Sequence, residues 1–192
     1  MPQQDRRIEV SEAAWRVIVR EGLDRTSIRA IARELNCTTG VITHYFRDKQ
    51  ELILFALDRV TENLKQAMQE VAEQPLSIER LEEMLCAFLP LDNKRQELLK
   101  VWVAFLGYGV GRESLMEEHR ASAGELQEVI MQELKTLQSA KKIHQNIDTA
   151  VEANALLALV NGIALDSLIQ EKCLNPKQQK MVIQKYLEGL AN

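Results

Sequence analysis

Between Thr26 and Phe46 the chain gathers side chains suited to recognising a polyanion rather than to breaking bonds. Thr39 and Thr43 lie four residues apart and so share one helical face, with Thr38 and Gly40 beside them. A Thr hydroxyl can bond several base edges, its methyl can pack on a thymine methyl, and a Gly permits close backbone approach. His44, Tyr45 and Lys49, with Arg29 and Arg33 just upstream, can reach flanking phosphates. Thr26 and Ser27 complete the candidate DNA contacts. An N-terminal arm carrying Arg6 and Arg7 is the alternative source of specificity.

Reaction chemistry has no comparable set. His119 and His144 stand without a His, Cys or carboxylate at ligand spacing, so no metal site is expected. Gly107-x-Gly109-x-Gly111 follows no strand pattern and reads as a weakened helix end rather than a nucleotide loop. No Ser/His/Asp arrangement, paired carboxylates or phosphate-binding loop occurs, so neither an enzyme nor a cofactor is expected. Cys37, Cys86 and Cys173 are odd in number and far apart, which excludes a disulfide framework.

The elements that must position these groups read as helices throughout. Ile8, Ala13, Ala14, Val17 and Ile18 share a face that ends at Glu21-Gly22. Thr26 or Ser27 caps a short helix whose apolar Ile28, Ile31, Ala32 and Leu35 recur at helical intervals. Asn36-Cys37 marks a tight break, and Thr38-Thr39 opens another short helix with Val41, Ile42, Tyr45 and Phe46 inward. By periodicity this is either a helix-turn-helix or an ordinary helical hairpin with threonine caps. Asp48 caps a long helix to about Val71, and Ser77 caps one running through Phe88 to Pro90. Asp92 opens the next, with Leu98, Val101, Trp102 and Phe105 as its stripe. Further helices are expected from Ser114 to Leu137, from a Thr149–Glu152 capping box to Ile169, and from Asn175-Pro176 to Gly189. The polar stretch from Ser139 to Ile147 is a loop.

At 192 residues, 46% hydrophobic and 27% charged, the chain has an ordinary globular composition. Aromatics at 5% and only 8 Gly and 4 Pro favour helices over strands. The net charge of −4 is unevenly spread: residues 1–50 hold nine Lys/Arg against seven Asp/Glu, and the remainder is acidic. A basic head on an acidic body fits a DNA-reading end attached to a domain with another task. The start lacks an apolar signal core and no 18 apolar residues run together, so the expected location is cytoplasmic, with no membrane partner.

Glu21-Gly22-Leu23, Thr26-Ser27-Ile28-Arg29-Ala30-Ile31-Ala32 and Gly40-Val41-Ile42-Thr43-His44-Tyr45-Phe46-Arg47-Asp48-Lys49 resemble the DNA-binding domain of TetR-family repressors. Asn36-Cys37 stands where that pattern usually has Gly-Val, and Thr43 where it often has Tyr. The second half resembles, more weakly, the BetI-like branch of choline-responsive repressors. The residues are Lys100-Val101-Trp102-Val103-Ala104-Phe105, Ala155-Leu156-Leu157-Ala158-Leu159-Val160 and Gly162, with Asn161 in place of that branch's carboxylate.

The resemblance implies an all-α protein of about nine helices with a three-helix head. Residues 4–64 would be the DNA-binding domain, with its helix-turn-helix at about 27–46, and residues 65–192 the ligand-binding and dimerisation domain. Its expected partners are double-stranded operator DNA, a second copy as homodimer, and an unidentified small-molecule inducer. Met84, Phe88, Trp102, Phe105 and Tyr108 are candidate pocket walls, or else helix core. Leu126, Ile130, Leu156, Leu159, Val160, Gly162 and Ile163 are candidate dimer contacts: the helices from Ser114 to Leu137 and from Thr149 to Ile169 are expected to pair with their symmetry mates as a four-helix bundle, the second being apolar nearly all round. The alternative is an architectural or co-regulator helical dimer without an inducer.

Overall fold

The computed structural model describes residues 3–170 and 174–191, so Cys173 lies outside it. Among the described residues the backbone forms nine helices. These are α1 (Gln3–Glu21), α2 (Ile28–Glu34), α3 (Thr39–Tyr45), α4 (Lys49–Ala72), α5 (Ile78–Cys86), α6 (Asn93–Gly109), α7 (Glu113–Ser139), α8 (Thr149–Ile169) and α9 (Pro176–Glu188).

Side-chain oxygens begin most of them, taking up amide protons that a first turn leaves without partners. Ser27 accepts from the Ala30 amide at 3.1 Å, Asp48 from Glu51 at 2.9 Å, Ser77 from Arg80 at 3.1 Å and Asp92 from Arg95 at 2.9 Å. Asn175 and Gln178 form the reciprocal capping box of α9.

Three expectations are corrected here. The cap of α8 is Asp148 rather than Thr149; its carboxylate takes the Ala150 and Val151 amides together and places a negative charge at the helix's positive end. α5 ends at Cys86 rather than Phe88, because Ala87, Phe88 and Leu89 each donate three residues back in a tighter turn. The polar loop before α8 contains one fully buried residue, Ile143, which pairs with Ala191 in an isolated antiparallel bridge.

The chain divides into two compact units. The first comprises Met1–Thr61 with Lys100–His119, so it is larger than the expected head. Its core holds Val10, Ala13, Ala14 and Val17 of α1, Ile31 and Ala32 of α2, Ile42, Phe46 and Leu52.

The second comprises Glu62–Leu99 with Arg120–Asn192. Its core is built from Met68, Leu81, Leu85, Ile130, Leu134, Leu137, Leu156, Val160, Ile183 and Leu187, among others. An ion pair is sealed into it. Arg80 donates from Nε and Nη2 to the two Glu133 oxygens at 2.9 and 2.8 Å, and from Nη1 to the carbonyls of Ala72 and Gln74. This planar fork fastens α5 to α7 and satisfies the carbonyls that end α4.

Burial separates the candidate dimer contacts, of which Gly162 is exposed. Leu126, Ile130, Leu156, Val160 and Ile163 lie inside the second unit's own core, and Leu159 packs half-buried against it. What α8 leaves outside is a different stripe. Val151 (64% exposed), Ala158, Gly162, Leu165 and Ile169 (68% exposed) recur at intervals that return to one helical face, opposite Ala153, Leu156, Val160 and Ile163. A Cβ at Gly162 would meet nothing within 4 Å in this chain. Among the described residues α8 is the one helix long and apolar enough, at a mean hydropathy of 1.3, to cross a membrane, where the sequence predicts no span. It nevertheless carries Glu152 and Asp166 and buries its inner face in the second unit.

Candidate nucleic-acid interface

A turn and two anchors present α3. Asn36 adopts φ 52°, a left-handed conformation that Asn tolerates better than most side chains, and it closes α2 with a Schellman pattern. The Cys37 amide donates to Ala32 and the Asn36 amide to Arg33. The chain re-emerges at Thr38, which has the extended conformation of a cap but makes no side-chain cap bond. Ile42 and Phe46, both 0% exposed, pin α3 from beneath.

With that side fixed, Thr38, Thr39, Gly40, Thr43 and His44 are exposed, while Val41 and Tyr45 are half-buried. The Thr43 hydroxyl donates back to the carbonyls of Thr39 (3.2 Å) and Gly40 (3.3 Å). Its proton is thereby occupied, leaving a lone pair to accept from a base amino group and a methyl to pack on thymine. A Cβ on Gly40 would meet only Thr38 Oγ1 at 3.6 Å, an ordinary distance. Nothing within the chain requires a glycine there, although glycine inside a helix costs about 1 kcal/mol relative to alanine.

The remaining candidates separate. Thr26 is 2% exposed and its hydroxyl donates to the Gly22 carbonyl at 2.8 Å, so it is a structural turn residue and not a surface contact. Ser27 and Arg29 are exposed, as is Arg33, and neither arginine has an ion pair among the described residues. Arg16 and Arg20 instead converge on Glu34 at 2.9 Å each, and these bonds hold its carboxyl below the usual range. Lys49 donates to the Leu23 carbonyl at 2.7 Å and faces the Tyr108 ring at 5.4 Å. Burial draws its ammonium below the ordinary lysine value, Asp24 opposes that shift, and Arg112 adds to it.

The N-terminal arm is also corrected. Arg6 and Arg7 lie within α1, where Arg6 pairs with Glu9. The Arg7 guanidinium covers the Phe46 and Phe55 rings at 4.8 and 4.9 Å and reaches Glu51 at 3.1 Å. It supports the end of α3 and the start of α4 from inside. Periodicity could not reveal this, because an Arg on an amphipathic helix looks solvated until its aromatic partners are placed.

The candidate pocket residues fall in different units. Met84 is buried and Phe88 half-buried in the second; Trp102, Phe105 and Tyr108 belong to the first. There Phe105 is buried, and His119 tilts against it at 5.5 Å and against Trp102 at 6.4 Å. His119 therefore has company that its sequence neighbours did not disclose. Burial lowers its pKa, and its buried Nδ1 has no hydrogen-bond partner among the described residues. The Tyr108 ring is covered by Arg112 at 4.0 Å and faced by Lys49 at 5.4 Å. A 660 Å³ groove opens in the second unit among Leu64, Val71, Glu82, Cys86, Leu91 and Lys180, and neither Met84 nor Phe88 lines it. Asn161 is exposed on α8.

Known proteins share these features. Residues 11–55 match the model of bacterial regulatory proteins of the tetR family, and residues 77–192 match the C-terminal domain of BetI-type transcriptional repressors. The chain is 29% identical over 195 residues to the HTH-type transcriptional regulator PksA of Bacillus subtilis, covering 99% of this chain and 94% of that protein. It is 26% identical to the regulator BetI of Vibrio vulnificus, covering 95% and 91%. In fold it resembles a Saccharomonospora viridis transcriptional regulator solved in complex with choline, with a TM-score of 0.90, 20% identity and coverage of 98% and 99%.

Proposed function

Because this chain belongs to the TetR family of DNA-binding bacterial regulators, with a BetI-type C-terminal domain, we propose that it is a repressor that binds a palindromic operator as a homodimer and is released by a small-molecule inducer. The observation that carries this reading is α3, pinned by Ile42 and Phe46 with Thr38, Thr39, Gly40, Thr43 and His44 outermost. A short helix so held can enter a major groove, its N-terminal residues meeting base edges. Ser27, Arg29, Arg33 and Tyr45 then serve the flanking backbone, and Lys49 joins them when DNA is bound.

DNA reading falls on residues 4–64, and ligand and dimer functions on 65–192. The dimer is supported by the α8 stripe from Val151 to Ile169, which a second copy would cover symmetrically. Gly162 and Ala158 on that stripe allow two helices to approach closely. For the inducer, Trp102, Phe105 and His119 offer an aromatic group in which an uncharged imidazole does not repel a cation. An organic cation is therefore the first class to test, choline included. To lower operator occupancy a hundredfold, it must favour the DNA-incompetent state by about 2.7 kcal/mol.

Selection from a randomised duplex library should enrich an inverted repeat whose half-sites lie about one helical turn apart. Recovery of no common sequence would overturn the reading. A thermal-shift screen with quaternary ammonium compounds tests the inducer, since a ligand of the folded state raises the melting temperature with its concentration.

A further inference from the structure

We propose that Tyr108 is a positioning residue that withholds Lys49 from the DNA backbone. The proposal rests on the reading that Lys49 meets phosphate when DNA is bound. Lys49 opens α4, yet its ammonium is engaged within the chain by the Leu23 carbonyl at 2.7 Å and the Tyr108 face at 5.4 Å. One residue on, Gln50 Nε2 donates to Ser114 Oγ at 3.2 Å. The last turn of α6 and the first turn of α7 thus hold two consecutive residues at the start of α4.

An ammonium so placed has exchanged water for a carbonyl and a ring quadrupole, and it must give up part of that to meet a phosphate. Arg112 makes the hold adjustable. Its guanidinium lies 4.0 Å from the same ring, it donates to the Tyr108 carbonyl, and its positive charge repels that of Lys49. Any rearrangement at the end of α6 that moves the ring changes what Lys49 must give up to meet DNA. Nothing in sequence spacing pairs residues 49 and 108. Tyr108 looked like a pocket wall because it follows Trp102 and Phe105 on one helix.

The test is titration of the full chain with a mixed-sequence duplex over a range of salt concentrations. Tyr108→Leu should bind about two- to fivefold more tightly, the worth of an exposed cation–π pair. Its log–log salt dependence should stay that of the wild type, because Lys49 meets phosphate in both complexes and only what it gives up beforehand differs. Tyr108→Phe keeps the ring and should match the wild type, whereas Tyr108→Trp, a better cation acceptor, should bind more weakly. The Trp variant also decides the matter if the Leu variant does not fold. Adding Lys49→Ala to Tyr108→Leu should abolish the gain and lower the salt dependence by about 0.9 per subunit.

Unchanged or weaker binding by Tyr108→Leu, or a gain that persists without Lys49, would overturn the proposal. If Lys49→Ala weakens wild-type binding but Tyr108→Leu does not strengthen it, Lys49 remains a phosphate contact and Tyr108 does not restrain it. If Lys49→Ala changes nothing in either background, the phosphate reading itself fails.

Discussion

The seven residues of α3 send Ile42 inward and leave Thr39, Gly40, Thr43 and His44 outside, whereas the 21 residues of α8 carry apolar side chains on both sides. In α3 polarity alone separates the two faces, so the buried side identifies the exposed one. In α8 the inner stripe of Ala153, Leu156, Val160 and Ile163 and the outer stripe of Val151, Ala158, Leu165 and Ile169 are chemically alike. Only the packing of α5, α7 and α9 tells them apart. A one-sided helix declares where its core lies; a helix apolar all round declares only that it has two neighbours.

The comparison breaks most readily at the inner stripe. Leu156→Ala should cost about 2–5 kcal/mol in stability, because it opens a cavity in the second unit. Leu165→Ala should cost far less, and equal losses in denaturant titrations would mean that the two stripes are not distinct. Breaking the sealed pair with Glu133→Ala should cost about 3–5 kcal/mol, since the Arg80 charge is then left buried without its partner.

The outer stripe is sharpened by Leu165→Glu combined with Ile169→Glu. This variant should sediment as a monomer with its helicity retained; an intact dimer would place the interface elsewhere. In α3, Thr43→Val keeps the methyl and removes the oxygen, while Thr43→Ala removes both. If an amino group is read, both variants should relax preference at one base pair per half-site by about 1–3 kcal/mol. If a thymine methyl is read, only the Ala variant should do so. Identical operator selections for both variants and the wild type would remove Thr43 from the reading face.

A smaller effect is expected from Gly40→Ala, which should stabilise the fold by up to about 1 kcal/mol yet weaken operator binding. Unimpaired binding would show that no DNA backbone comes close to that residue. The smallest is electrostatic. Burial sets the folded pKa of His119 below its ordinary 6.5, so the unfolded chain takes up this proton more readily. The corresponding stability is present above pH 6.5 and is lost as pH falls through that value towards the folded one. His119→Gln should flatten this part of a melting-temperature profile against pH.

The legible part of the molecule is what local chemistry dictates. Ser27, Asp48, Ser77, Asp92 and Asn175 mark helix starts because a cap bonds amides two or three residues away. Asn36 marks the turn because few side chains accept its backbone. What escaped depends on partners distant in sequence. Arg7 on Phe46 and Phe55, Arg80 with Glu133, Lys49 with Tyr108 and His119 with Trp102 each join helices that no periodicity orders relative to one another. For the same reason periodicity does not say which apolar stripe of α8 faces inward.

The turn that Asn36 closes also gives the protein a pair of internal clocks. Cys37, just after that turn, is half-buried in the first unit, while Cys86 is buried beside the groove of the second, where burial pushes its thiol up and away from the reactive thiolate. Under a pulse of alkylating reagent, Cys37 is marked when the reading head breathes and Cys86 only when the second unit opens. Site-resolved mass spectrometry of one unmutated sample would then time the two openings separately, with and without DNA.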